Sequence, residues 1–277
     1  GDVVTSELTR ELNPDASAEQ LATLVEGNTD FAVDLYQALS TEDGNLFYSP
    51  HSISTALAMT YGGARTTTAD EMAAVMHYDL GQDSTHEAFN ALDLALESRS
   101  EMPVEDGDPF QLNVVNALWG QADFPFSTEY LDLLALHYGA GMRLLDYLED
   151  PEAARETINA WVEDQTEDRI KDLLPEGSIT RDTRLVLTNA IYFNASWELP
   201  FEEELTTTGD FARLDGTTVS ADMMAQSEGF GYTAGEDFQA MEMLYKGRAL
   251  SMVIIAPTEG QFESFEAGLT AEGLTTI

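Results

Sequence analysis

Apolar positions follow a helical period over the first hundred residues and an alternating one over much of the rest. Phe31, Leu35 and Leu39 stand at i, i+4 and i+8 and predict a helix from Thr29 to Leu39. A short helical patch around Glu19–Val25 precedes it, after a break at Asn13-Pro14-Asp15. Asp43-Gly44 turns the chain into a short strand, Asn45–Tyr48. Ser49 can cap the next helix, and Pro50 suits its first turn, where a missing N–H costs nothing. That helix reaches Tyr61 and is apolar or small nearly all round, which predicts burial. Thr68-Ala69-Asp70-Glu71 has the form of a capping box and opens a third helix. A fourth runs from Ser84 to Ser98.

Ser100–Pro109 reads as an acidic loop. Phe110–Trp119 then alternates, with Phe110, Leu112, Val114, Asn116 and Leu118 on one side and Val115, Ala117 and Trp119 on the other. A helix over Ser127–Tyr138, a strand over Arg143–Tyr147 and a helix opened by Asp150-Pro151 follow. Thr183–Phe193 is apolar on both faces and predicts a strand in the middle of a sheet. A hairpin over Phe211–Met224, strands Phe238–Tyr245 and Ala249–Ala256, and two short helical pieces, around Phe262–Phe265 and from Leu269 on, complete the pattern. Helices first and strands later, with few strand–helix–strand alternations, indicate an α+β fold.

The exceptions to this pattern carry the most information. Ser49 and Ser52 open the buried helix, and Asn189 shares a strand face with Leu187, Ile191 and Phe193. A buried amide must find partners of matching geometry, and the two serines are of the right kind. Such a group can fix register, or it can latch a sheet that must part.

Charge changes the picture further. The 277 residues hold 51 acids against 12 bases, a formal charge of −39. Self-repulsion on that scale strains a compact fold at ordinary ionic strength. At about 1 M salt the Debye length falls to roughly 3 Å, so the composition reads as adaptation to concentrated salt. No basic stripe exists to meet phosphates, which argues against nucleic acid as a partner. No run of eighteen apolar residues exists to span a membrane. Cysteine is absent, which excludes disulfides and thiolate chemistry.

Catalytic motifs are missing too. His51, His77, His86 and His137 share no metal-binding spacing, and His86-Glu87-Ala88-Phe89-Asn90 fails the H-E-x-x-H pattern at its last position. There is no G-x-S-x-G elbow and no glycine-rich phosphate loop. Carboxylate pairs are expected by chance among so many acids. Glu105-Asp106-Gly107-Asp108 lacks the spacing of a calcium loop. These observations point to no enzyme and no cofactor.

Two stretches resemble the serpin family. Asn45–Met72, opening N-L-F-Y-S-P-H-S-I-S-T-A-L-A-M, matches the family's pattern nearly throughout, as does the N-A-I-Y-F…W…P-F run within Leu187–Phe201. Asn159-Ala160-Trp161-Val162, Ile170–Leu174 and Met223-Met224 match further pieces in the right order. The resemblance implies a serpin domain over 29–277 behind an acidic N-terminal extension, 1–28. It implies N-terminal helices packed on a large, mainly antiparallel sheet with two smaller sheets. Phe110–Trp119 becomes the second strand of that large sheet and Thr183–Phe193 the third.

By position, Ser49, Ser52 and Asn189 fall in the family's shutter, Trp197 in its breach, and Asn159 on the helix crossing the sheet. The implied function is inhibition of a serine or cysteine protease: the protease cuts a reactive loop, which inserts beside the third strand. On this reading the chain stops before the reactive loop and the last strands, so it is inactive as it stands and leaves the third strand at a sheet edge. The implied molecule is secreted or surface-tethered and monomeric when complete. Two rivals stand beside it, a serpin-fold binding or chaperone protein and a salt-adapted hydrolase.

Overall fold

A computed structural model describes residues 3–41, 44–100 and 110–277, apart from the side chains of Asn113 and Val115. They fall into two compact units. The first comprises the segments up to Ser98, Leu112–Phe193 and Thr270–Thr275, and the second is chiefly Asn194–Leu269.

The first unit is layered. A four-stranded sheet has the order β1 (Val3–Val4), β3 (Met142–Leu145), β2 (Gln111–Gln121), β4 (Leu185–Asn194). β1 runs antiparallel to β3, and β3 parallel to β2. A parallel neighbour requires a crossover, which α5 (Thr128–Tyr138) supplies. Contacts between β2 and β4 run in antiparallel order: Gln121 to Arg184, Trp119 to Thr188, Asn116 to Asn189.

The pleat sends alternate residues of each strand into different layers. On one face Ala117, Trp119 and Val186 pack with Ile158 and Val162 of α6 (Pro151–Gln165). On the other, Leu118, Leu185 and Leu187 pack with Met59 of α2 (Pro50–Tyr61) and Leu134 of α5. Behind α2 lies a third cluster, in which α1 (Ala18–Leu39), α3 (Thr66–Met76) and α4 (Gln82–Ser100) contribute Leu24, Phe31, Met76, Ala88 and Phe89. The α+β architecture is that expected from the sequence.

Several elements differ from the sequence pattern. One continuous helix, α1, replaces the two pieces expected around residues 19–25 and 29–39. Ser17 caps it in a full capping box with Gln20, and Leu24 and Phe31 extend one buried face through the polar stretch between them. Gly27 is no break here: a Cβ on it would lie 2.3 Å from the carbonyl oxygen of His77, so its bare backbone lets the neighbouring segment approach.

Asn45–Tyr48 is not a strand. It has no ladder, Phe47 is 96% exposed, and the segment is tethered by Tyr48, whose hydroxyl donates to the Ala32 carbonyl at 2.8 Å. The third helix starts at Thr66, before the capping-box pattern, and has no side-chain cap. Arg65 instead donates to the carbonyls of Gly62 and Ala64, fixing the turn that leads in. β4 is the outermost strand of its sheet among the described residues, not a middle one. It is apolar on both faces because helices cover both, and face burial says nothing about which edges are paired. The expected acidic loop, including Glu105–Asp108, lies outside the described residues apart from Ser100.

The second unit holds a hairpin, β5 (Thr207–Ala212) with β6 (Thr218–Met223), and an antiparallel sheet β7 (Gly231–Ala234), β8 (Phe238–Leu244), β9 (Ser251–Pro257). The hairpin turns at Asp215, whose carboxylate accepts from the amide and hydroxyl of Thr217. Those bonds hold its carboxyl below the ordinary carboxylate range. The sequence pattern missed β7, which is short and fully exposed. A short helix, α7 (Phe262–Ala267), follows in this unit, and α8 (Ala271–Thr276) falls almost wholly in the first.

Candidate functional site

Helix α2 lies beneath the sheet with Ser52, Ser54 and Thr55 buried along it. Buried polar groups are costly unless paired, and amides, hydroxyls and carbonyls of α2 are paired in succession, the Ser54 hydroxyl donating to Tyr78 Oη at 3.4 Å. Ser49 caps the helix, accepting from the Ser52 amide at 3.3 Å. Thr55 donates to the His51 carbonyl at 2.9 Å. Tyr78 donates to the Ser54 carbonyl at 2.6 Å, and Tyr130 donates to that of Met59 at 3.0 Å. Burial raises the phenol of Tyr130 to about 12 and that of Tyr78 higher still, so both hydroxyls remain donors at any physiological pH.

Ser52 is the point where this helix meets the sheet. It is wholly buried, and the Asn189 amide nitrogen reaches it across 137 positions of sequence. That nitrogen lies 2.5 Å from Ser52 Oγ, 3.2 Å from the Ser52 carbonyl and 2.6 Å from Asn116 Oδ1. One side-chain amide on β4 thus joins helix α2 to strand β2. An amide carries two N–H donors, so three acceptors share them. Every group in the junction is uncharged. Bonds of this kind contribute only about 1 kcal/mol net, but leaving a partner buried and unpaired costs about 1–3 kcal/mol. A junction with that asymmetry favours one closed arrangement and can still be parted as a whole.

The structure brings Ser52 and Asn189 together and adds Asn116. Asn116 was visible as an amide on the apolar face of its strand, the signal that also marked Asn189. Ser49 supports the junction indirectly, through the cap that fixes Ser52. Asn159, buried on α6, does not reach it. Its side chain clasps Leu174 in both directions: Nδ2 donates to the carbonyl at 2.9 Å, and Oδ1 accepts from the amide at 2.8 Å. This pins the segment after α6 to the helix. The sheet-facing side of α6 is held by Trp161, edge-on to Trp119 with ring centroids 5.2 Å apart. The guanidinium of Arg143 lies 4.9 Å from the Trp161 ring and 5.4 Å from that of Trp119, a double cation–π contact.

Trp197 belongs to the second unit. It forms a bridge with Tyr245, and the two rings stack at 4.5 Å and 11°. Beside it the amide of Glu198 donates to Leu244 and its carboxylate accepts from Arg248 at 2.9 Å. Among the described residues no helix is long and apolar enough to cross a membrane, and no three His, Asp or Glu side chains gather to hold a metal ion.

The family model described as Serpin (serine protease inhibitor) matches residues 26–277. An uncharacterised serpin-like protein of Thermococcus kodakarensis is 40% identical over 254 residues, covering 92% of this chain and 58% of its own length. Human serpin B4 is 36% identical over 263 residues, 91% of this chain and 67% of its length. The archaeal relative is thus matched over less than two thirds of its length. Emu ovalbumin superposes with a TM-score of 0.82 at 28% identity, over 92% of this chain and 68% of that one. Cleaved kallistatin complexed with heparin gives a TM-score of 0.80 at 28% identity, over 92% and 74%. The layered helices and sheets, the order of the motifs along the chain and these likenesses agree: the chain belongs to the serpin family.

Proposed function

We propose that the protein carrying this chain inhibits a serine-type endopeptidase as a suicide substrate, a reactive loop inserting beside β4 once it is cut. The single observation that carries this reading is the uncharged junction Ser52–Asn189–Asn116. It sits between a buried helix and two strands, where a sheet that parts needs a latch that is specific yet breakable. Ser49, Ser52 and Asn189 are assigned to that latch, with Asn116 as its second strand-borne member. Asn159 is assigned to the helix that must shift over the sheet, and Trp197 to the breach. The stored free energy lies in the difference between the native and inserted sheets, so trapping is kinetic. No residue of the inhibitor performs chemistry, in keeping with the motifs.

The test is incubation of the protein carrying this chain with serine proteases of several specificities and with a cysteine protease. The expected product is a complex that survives boiling in detergent. Cleavage of the inhibitor without a complex defeats this reading and favours a serpin-fold binding or chaperone protein.

A further inference from the structure

Residues 3–12 run across three elements and are bonded to each. Val3 and Val4 form β1, opposite Arg143 and Met142 of β3. Ser6 donates to Asp132 on α5, and the Glu11 amide donates to the Leu136 carbonyl on the same helix at 2.9 Å. Arg10 then reaches α4. Its Nε donates to Asn90 Oδ1 at 2.8 Å, one terminal nitrogen to Asp93 at 2.5 Å and the other to Glu97 at 3.2 Å. Those three partners stand at i, i+3 and i+7, one face of the helix. Asn90 is wholly buried and donates back to the Glu11 carbonyl at 2.7 Å.

The seat is shaped for this segment. A Cβ on Gly141, just before β3, would lie 2.6 Å from the Thr5 methyl and 3.1 Å from the Val4 carbonyl oxygen. The Arg10 side chain is only 17% exposed. Hydrogen bonds between a guanidinium and carboxylates are about twice as strong as neutral ones. Such a contact is anchored, not incidental.

We propose that residues 3–12 are a clasp that ties β3 to α4 and α5 and thereby sets how readily the four-stranded sheet moves over its helices. β3 cannot slide past α4 without breaking either the β1 ladder or the Arg10 fork. Its consequence for inhibition rests on the sheet-parting reading above: a tighter clasp slows opening, a looser one speeds it.

Hydrogen exchange on the Arg10→Gln and Gly141→Val proteins tests the clasp. Amides of β3 exchange about tenfold faster in both, while those of α3 keep their rates. Trypsin cuts after Arg10 sooner in Gly141→Val than in the parent. Unchanged β3 exchange, or an equal rise in α3, overturns the clasp. The Arg10→Gln change also quickens loop insertion in the protein carrying this chain. Insertion at an unchanged rate counts against the clasp, whereas no insertion in either protein counts against the inhibitory reading and leaves the exchange result to decide the clasp.

Discussion

Asn189 and Trp197 stand eight positions apart in one motif-bearing stretch, yet they do different physical work in different units. Asn189 contributes direction: its amide meets Ser52 and Asn116 at 2.5 and 2.6 Å, and its neighbours on the strand supply the apolar area. Trp197 contributes area: it stacks on Tyr245 at 4.5 Å. A polar junction is worth little when made and costs more when half broken, whereas stacked rings lose stability in proportion to the surface removed. The comparison teaches that a joint can part more readily when it is fastened by groups that can find water once apart.

Removing salt should have the largest effect, because it acts on both units together. With a formal charge of −39, dialysis to millimolar salt unfolds the protein, and circular dichroism follows the loss. Unchanged spectra would refute the halophile reading. The Asn189 junction has no charge, so the salt dependence of unfolding should be the same in Asn189→Leu as in the parent.

Within the comparison itself, Asn189→Leu leaves Ser52 Oγ and Asn116 Oδ1 without their donor and should cost about 3 kcal/mol in denaturant unfolding. Trp197→Ala should cost about 2 kcal/mol, since the indole is only half-buried. An equal cost for Asn189→Leu and Asn189→Asp would deny the junction its polar character.

A titrating contrast comes from His86, buried against Tyr138 at 2.7 Å. Burial, then the positive neighbours His137 and Arg65, push its imidazole down to about 3. The unfolded imidazole takes up its proton near pH 6.5, so below that pH the unfolded state holds more protons. Stability is therefore full above about pH 6.5 and falls as the pH drops toward 3, by at most about 1.4 kcal/mol per unit from this group. Urea unfolding at pH 6.5 and 5 should show a shallower fall in His86→Gln, while Asn189→Leu keeps the parent slope. The smallest expected effect is the coupling between Ser52→Ala and Asn189→Ala, about 1 kcal/mol in a double-mutant cycle. Strict additivity would mean the two residues are merely neighbours.

Much of the fold was legible because its signals are local. Ser49-Pro50 and Asp150-Pro151 mark helix starts, and Ser49 and Asp150 cap the helices that follow. The alternation in Phe110–Trp119 correctly separates Asn116 and Leu118 from Ala117 and Trp119, which join different layers. What misled was equally local. The polar stretch between Val25 and Thr29 split α1 into two expected pieces, because the packing of Leu24 and Phe31 on one buried face is invisible in a short window. Asn45–Tyr48 had the composition of a strand but lacks a partner ladder, and composition cannot supply one. Asn159 was placed on a helix only through the family resemblance, and its bond to Leu174 depended on how the chain returns after α6.

The sequence alone determined the charge, the absence of catalytic motifs, the buried helix with its misplaced hydroxyls and the family motifs in their order. Each depends on residue identity or short spacing. Only the tertiary structure decided that Asn116, not Ser49, shares the Asn189 amide with Ser52, that β4 is outermost in its sheet among the described residues, and that Arg10 spans to α4. The Asn189 and Arg10 contacts join residues between 73 and 137 positions apart, and no local preference fixes where such distant segments cross.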